Sequence, residues 1–136
     1  MLFDKLLSEV TYDDIQELSH EKIDESLILD YKQELNDTSI IKQVTAFSNT
    51  NGGYLVYGIA ETGKGGHPDS INGIDKGTNT ERLEQIILSN IVPRVSVRMK
   101  KIPIPDTDRI ILLIQIPEGQ NKPYYNNHDK KYYKRY

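Results

Sequence analysis

The chain contains no cysteine, which removes disulfide scaffolds, thiolate zinc sites and cysteine nucleophiles together. It also lacks a long apolar run. The longest, Ile110 to Ile114 inside a strand-like segment, falls far short of the roughly 20 residues that span a bilayer. The amino terminus is neither basic nor apolar enough for a signal segment, so the expected location is the cytoplasm, with no membrane partner. Histidine is scarce: His20, His67 and His128 are scattered without ligand spacing, and zinc is not indicated. Ser48 and Thr50 have no base beside them in sequence, which leaves a serine-type nucleophile unsupported.

An excess of positive charge is missing too. The formal net charge is −3, whereas affinity for nucleic acid comes mainly from cations that neutralise phosphates. The distribution matters more than the total. Residues 4 to 37 carry 11 acidic and 3 basic side chains, residues 38 to 121 carry 8 and 9, and residues 122 to 136 carry 1 and 5. The opening is acidic and the end basic, so a phosphate-binding surface here has to be local.

At 136 residues, 37% hydrophobic and 27% charged, the chain fits one soluble globular domain able to bury a core without a structural metal. Leu2, Phe3, Leu6 and Leu7 suit a short helix. Thr11 ahead of Asp13 and Asp14 starts a second, giving a helical segment over residues 1–20 before a main domain at 21–136. Residues 26 to 32 (SLILDYK) are rich in branched and aromatic side chains and predict a strand, with Glu25 at its start. A helical period over 39–50 is broken by Asn49 to Gly53, where Gly52 and Gly53 permit the positive backbone angles of a direct turn into a buried strand at 54–59. Residues 61 to 77, with five glycines and a proline, predict a loop holding a short strand near 70–74. Asn79 or Thr80 caps a helix over 80–91. In 95–101, Val95, Val97 and Met99 alternate with Ser96, Arg98 and Lys100, which predicts a half-exposed strand with cations on its open face. Residues 109–116 form the most apolar strand, and 131–136 a last one. The expected fold is α+β, a mixed β-sheet flanked by helices.

Gly58, Gly63 and Lys64 have the spacing of a phosphate-binding loop after a strand. However, Gly65 stands where a serine or threonine would hold magnesium, and the residues up to Pro68 are poor helix starters, so ATP binding is not expected.

The closing stretch from Lys122 mixes five cations with Tyr124, Tyr125, Tyr132, Tyr133 and Tyr136. Aromatic faces beside cations suit a single-stranded backbone with unstacked bases. The expected phosphate contacts are Lys100, Lys101, Lys130, Lys131, Lys134 and Arg135, with Tyr132 and Tyr133 as stacking groups. The competing reading is a lysine-bearing edge strand that guards the sheet against edge-to-edge pairing.

Three pieces occur in order: Glu25 with Asp30, Tyr31 and Lys32 (ESLILDYK); Ala46 to Glu61 (AFSNTNGGYLVYGIAE); and Pro117 and Pro123 ahead of Tyr132 to Arg135 (YYKR). Over roughly residues 20 to 136 the chain resembles the Schlafen AlbA_2 domain. The resemblance implies a mixed sheet with helices and DNA or RNA as partner. It also implies a place at the front of a longer, transcriptional-regulator-like protein with a downstream domain, and pairing of two copies as a homodimer. In Schlafen nucleases two acids five positions apart and a third beyond the glycine-ended strand form a divalent-metal site. By motif these correspond to Glu25, Asp30 and Glu61, with magnesium or manganese as the cofactor of such a nuclease and Lys32 beside the phosphate. Asp30 is shorter than the glutamate usual there, and Glu61 replaces an aspartate. Asp30 and Lys32 also project from the same side of a strand, so a simple ion pair is the competing reading. Three functions stay open: a nucleic-acid-binding domain, a metal-dependent endonuclease, and a non-catalytic dimerisation module.

Overall fold

The run Arg109–Ile116 (β8) becomes a central strand because apolar side chains are available to cover both of its faces. A computed structural model describes residues 2–62 and 66–136. In it β8 lies between Gly53–Tyr57 (β2) and Arg98–Pro103 (β7), antiparallel to both. Leu29–Lys32 (β1) adds to the far side of β2 in parallel, and Ile74–Asp75 (β5) pairs with Arg109 and Ile110 at the start of β8. The strand order is therefore β1, β2, β8, β7.

Alternation along these strands divides the core in two. Leu55, Tyr57, Leu112, Ile114 and Ile116 face Asp37–Ser48 (α2) and Thr80–Asn90 (α3). Leu29, Tyr31, Tyr54, Val56, Ile111 and Leu113 face the other way, onto Leu2, Val10 and residues Ile15 and Leu18 of Tyr12–His20 (α1). The fold is α+β, with a mixed sheet covered on both sides.

The helices start where their capping residues stand. The Asn36 and Asn79 side chains accept from the Ser39 and Arg82 amides, each at 3.0 Å, and Thr11 with Asp14 forms a reciprocal capping box on α1. Such caps contribute about 0.5–2 kcal/mol each. After α2 the Gly52 amide donates back to the Phe47 carbonyl at 2.8 Å, and a Cβ on Gly53 would lie 2.3 Å from the Ile28 carbonyl oxygen. Only glycine lets β2 begin so close to the entry of β1.

Three expectations change. The strand expected at 95–101 begins at Arg98, and both of its faces are partly covered, with Arg98 and Lys101 left exposed. Val97 and Met99 pack toward the helices, while Lys100 lies under the N-terminal segment and donates to the carbonyls of Leu7, Ser8 and Val10 at 3.1, 2.9 and 2.6 Å. The apolar residues of that segment need a sheet face to cover, and this is the one left open by α2 and α3. The stretch expected as a loop with one short strand near 70–74 contains more: a hairpin of Ile59–Thr62 (β3) with His67–Ile71 (β4), followed by β5. Its polar composition belongs to a hairpin standing off the main sheet. The strand expected over 131–136 is only Lys131–Tyr132 (β10), paired with Tyr125–Asn126 (β9), which pairs in turn with Ile91–Val92 (β6). Beyond Tyr132 the chain leaves this small sheet and crosses to β1. Gly63, Lys64 and Gly65 of the phosphate-loop spacing lie outside the described residues. No helix of the described residues is long and apolar enough to cross a membrane.

Candidate functional site

The edge strand β1 directs Leu29 and Tyr31 to one core and Asp30 and Lys32 to the opposite face, beside α2. Asp30 is thereby buried, at 5% exposure. A carboxylate so placed needs cations or donors, because an uncompensated buried charge costs several kcal/mol. Arg135 supplies one side: its Nη1 lies 3.2 Å from Asp30 Oδ2. The same guanidinium donates to the carbonyls of Ser26, Leu27 and Leu29 at 2.5, 3.0 and 3.1 Å and stacks over the Phe47 ring at 4.1 Å. Burial lowers its pKa from the usual arginine value, with the charge of Glu25 acting against that shift. With the Gln43 side-chain oxygen at 3.4 Å, the planar fork of arginine serves five acceptors at once, which a lysine ammonium does not match in geometry.

The other oxygen of Asp30, Oδ1, is buried and has no hydrogen-bond partner. Lys32 Nζ stands 4.0 Å away, at the limit of an ion pair. Glu25 and Glu61 close the group: each of the three carboxylates offers one oxygen, and these atoms lie within 4.8 Å of one another.

Each ligand is held by a different device. Glu25 Oε2 accepts from the Tyr31 amide at 3.0 Å, and the Glu25 amide donates to the Gly66 carbonyl at 3.1 Å. Gly66 has φ of +66°, and a Cβ there would lie 2.1 Å from Glu25 Oε1. Glycine at this point is what lets the hairpin close on Glu25. Glu61 arrives because the chain bends at Gly58, whose amide donates to the Lys32 carbonyl at 2.7 Å before β3 begins. Desolvation, contact with Glu25 and the charge of Glu25 raise the Glu61 pKa, and Lys32 opposes them. His67, at the start of β4, is hydrogen-bonded through Nδ1 to Asp24 beside Glu25.

The donor set fits a hard divalent cation. It is all oxygen, it carries more negative charge than Lys32 and Arg135 offset, and it includes Asp30, one of whose buried oxygens has no hydrogen-bond partner. Glu25, Asp30 and Glu61 are the residues that would hold such an ion.

Two concavities that share lining residues lie on the closing segment, the first of them reaching Asp30. One, about 260 Å³, is bounded by Asp30, Lys42, Gln43 and Arg135. The next, about 370 Å³, is bounded by Asn49, Pro123 and Tyr132. Tyr133, Lys134 and Tyr136 line both. Lys42 lies 5.2 Å from the centroid of the Tyr133 ring, and Lys134 the same distance from that of Tyr136. The acids nearby are engaged: Asp129 by the Tyr133 hydroxyl at 2.6 Å, Glu118 by Lys122 at 2.7 Å, and Asp30 by Arg135.

The expected site residues thus fall into separate places. Glu25, Asp30, Glu61 and Lys32 come together, with Arg135 against them and Tyr132, Tyr133 and Lys134 alongside. Lys130 and Lys131 are on the small sheet, Lys130 donating to the Asn127 side chain. Lys100 and Lys101 lie on β7, at the opposite edge of the main sheet, three strand spacings or roughly 14 Å from β1. Lys101 is held by the Lys76 carbonyl at 3.0 Å. A larger concavity, about 750 Å³, is also on that side, between the N-terminal segment and β7. Its Lys5 is paired with Asp14 and its Lys100 with backbone carbonyls, which leaves Arg98, and no aromatic side chain among the described residues lines it, so size does not make it the better site. Reading by residue type missed Lys42 and Phe47. Lys42 sits on α2 one residue away from the apolar stripe, and nothing in sequence brings it to the chain's end.

Fold and site together define a small α+β domain with an acidic cluster at one sheet edge and a basic, aromatic approach. The description Schlafen, AlbA_2 matches residues 25–136, and the chain belongs to that family. It is similar in structure to the N-terminal domain of a RecG-related, ATP-dependent DNA helicase-like protein of Nitrosomonas europaea, with a TM-score of 0.60 and 22% identity over 91% of this chain and 86% of that one. It is similar also to the DIP2311 protein of Corynebacterium diphtheriae, with a TM-score of 0.55 and 19% identity, covering 81% of this chain but 23% of that one. No curated protein matches it.

Proposed function

We propose that the chain is a nucleic-acid-binding domain whose phosphate path follows the closing segment, past Lys134 and Lys42, toward the carboxylate cluster. The observation that carries this reading is the paired concavity in which Lys42, Lys134 and three tyrosines are brought together while each nearby acid outside the cluster is already bonded. A local basic surface on an acidic chain is what phosphate binding requires. Membership of the family and the helicase-related neighbour are in keeping with it. In a longer regulator-like protein, a downstream domain and a second copy would add affinity through linkage rather than new contacts. Mobility-shift titrations with tRNA and with single-stranded DNA at rising salt test it. Binding should weaken steeply with salt, and an unchanged affinity would overturn it.

A specific observation favours a second reading, a divalent-metal-dependent nuclease: Asp30 Oδ1 is buried without a partner in a group of three carboxylates. An ion bound there supplies charge stabilisation at the phosphoryl oxygens and lowers the pKa of an attacking water. Arg135 and the Tyr31 amide hold Asp30 and Glu25 in place, and Lys32 offers its ammonium to a phosphate drawn up to the cluster. Hydrolysis then breaks one P–O bond as water attacks phosphorus, the leaving oxygen taking up a proton. Cutting of RNA or DNA stimulated by manganese or magnesium should fall at least roughly 100-fold in Glu25→Ala, while salt-sensitive binding persists. Substrates left intact with both metals would remove this reading and leave the first.

A further inference from the structure

We infer that the 370 Å³ cavity beside Tyr132 takes one unpaired base, so that the domain selects single-stranded over duplex nucleic acid. This rests on the nucleic-acid reading and narrows its substrate class. The cavity is a stacking site by construction. Tyr132 is 62% exposed, yet its ring is steadied by Tyr125, with centroids 5.0 Å apart and planes tilted by 59°. The ring is thus packed at a tilt against Tyr125 and still mostly exposed to a planar partner. Pro123 and the exposed Tyr136 add further flat apolar surface.

The floor does not read base identity. The Asn49 side chain donates to the carbonyls of Tyr124 and Tyr133 at 2.9 and 2.7 Å and accepts from the Tyr124 amide at 2.6 Å. The Tyr133 hydroxyl donates to Asp129. With these groups already engaged, the geometry favours stacking common to every base over hydrogen bonds to one. A base inside a duplex presents only its edge, so a cavity walled by rings accepts a base only once it is out of the stack.

The phosphates have a defined course. Tyr132 and Arg135 are three residues apart, which spans no more than about 10 Å of chain. A strand with its base in the cavity therefore passes Lys134 and Lys42 and reaches Asp30 within a nucleotide or two. In the metal-dependent reading, this measures the cut site from the stacked base.

The test is fluorescence anisotropy in EDTA, so that no cutting intervenes, with dye-labelled mixed-sequence RNA and DNA of about ten nucleotides, single-stranded and as blunt duplexes. Single strands should bind at least about tenfold more tightly than duplexes. Tyr132→Ala should weaken single-strand binding roughly 5- to 100-fold and leave duplex binding alone, and Tyr132→Phe should keep the affinity. An unchanged urea midpoint verifies that the exposed substitution leaves the fold intact. Duplex bound as tightly as single strand, or a folded Tyr132→Ala with wild-type affinity, overturns this inference and leaves the broader reading standing. No binding of any substrate at low salt overturns both.

Discussion

The two edges of the main sheet both end in a basic side chain surrounded by backbone carbonyls, yet the two cations have different consequences. At β7, Lys100 gathers the carbonyls of Leu7, Ser8 and Val10 and so closes the N-terminal segment over the sheet. At β1, Arg135 gathers the carbonyls of Ser26, Leu27 and Leu29 but also engages Asp30. The first cation is consumed by architecture. The second ties the closing segment to a carboxylate of the acidic cluster whose other oxygen is buried without a partner, so the seating of that segment bears on the cluster. A cation near a sheet edge is therefore not evidence of a ligand surface. What distinguishes the β1 edge is an unpartnered acceptor and open aromatic rings beside the cation.

Removing each cation sharpens the contrast. Arg135→Ala strands a buried aspartate and three carbonyls, and urea unfolding should show a loss of about 3–5 kcal/mol. Lys100→Ala leaves its carbonyls near water at a partly covered edge, with an expected loss of about 1–3 kcal/mol in the same assay and nucleic-acid affinity kept within about twofold. An equal loss in the two variants would mean that the Asp30 contact adds nothing. On the binding side, Lys134→Ala should reduce the slope of log affinity against log salt by about one, whereas Lys101→Ala should not change it. If Lys101→Ala lowers the slope as much, the phosphate path extends across the sheet.

The smallest effect concerns Glu61. Its folded pKa is raised, so the native state holds more proton than the unfolded chain above the ordinary glutamate range. Stability therefore falls as pH rises through that interval, the reverse of the usual carboxylate case. Glu61→Gln should flatten that part of the pH–stability curve. At pH 7 manganese should raise the urea midpoint of the wild-type chain and leave Glu25→Gln unmoved, because an ion bound to the native state alone stabilises it.

Strand β8 and the three helices were legible because each carries a local signal: the apolar run at 109–116, Thr11 ahead of Asp13 and Asp14 at α1, Asn79 before α3, and the helical period of α2 with the glycine pair after it. The strands of two residues were not legible, since Ile91–Val92 and Tyr125–Asn126 are too short to show a period and exist only because they pair. The hairpin of β3 and β4 was hidden by its glycines and charges, which look the same in a loop. For the candidate site, Glu25, Asp30 and Glu61 were identified through resemblance, and their closeness follows from two contacts far apart in sequence, Glu25 with Gly66 and Gly58 with Lys32.

By itself the sequence determined the class of this protein: an α+β domain without cysteine chemistry or a long apolar span, its acids early, its cations and tyrosines late. These properties follow from residue type and local period, which need no partner in space. Only the tertiary structure decided which cations are consumed and which are open to a ligand. That outcome depends on which backbone carbonyls and carboxylates happen to lie within about 3 Å of an ammonium or guanidinium, a distance set by the packing of distant segments.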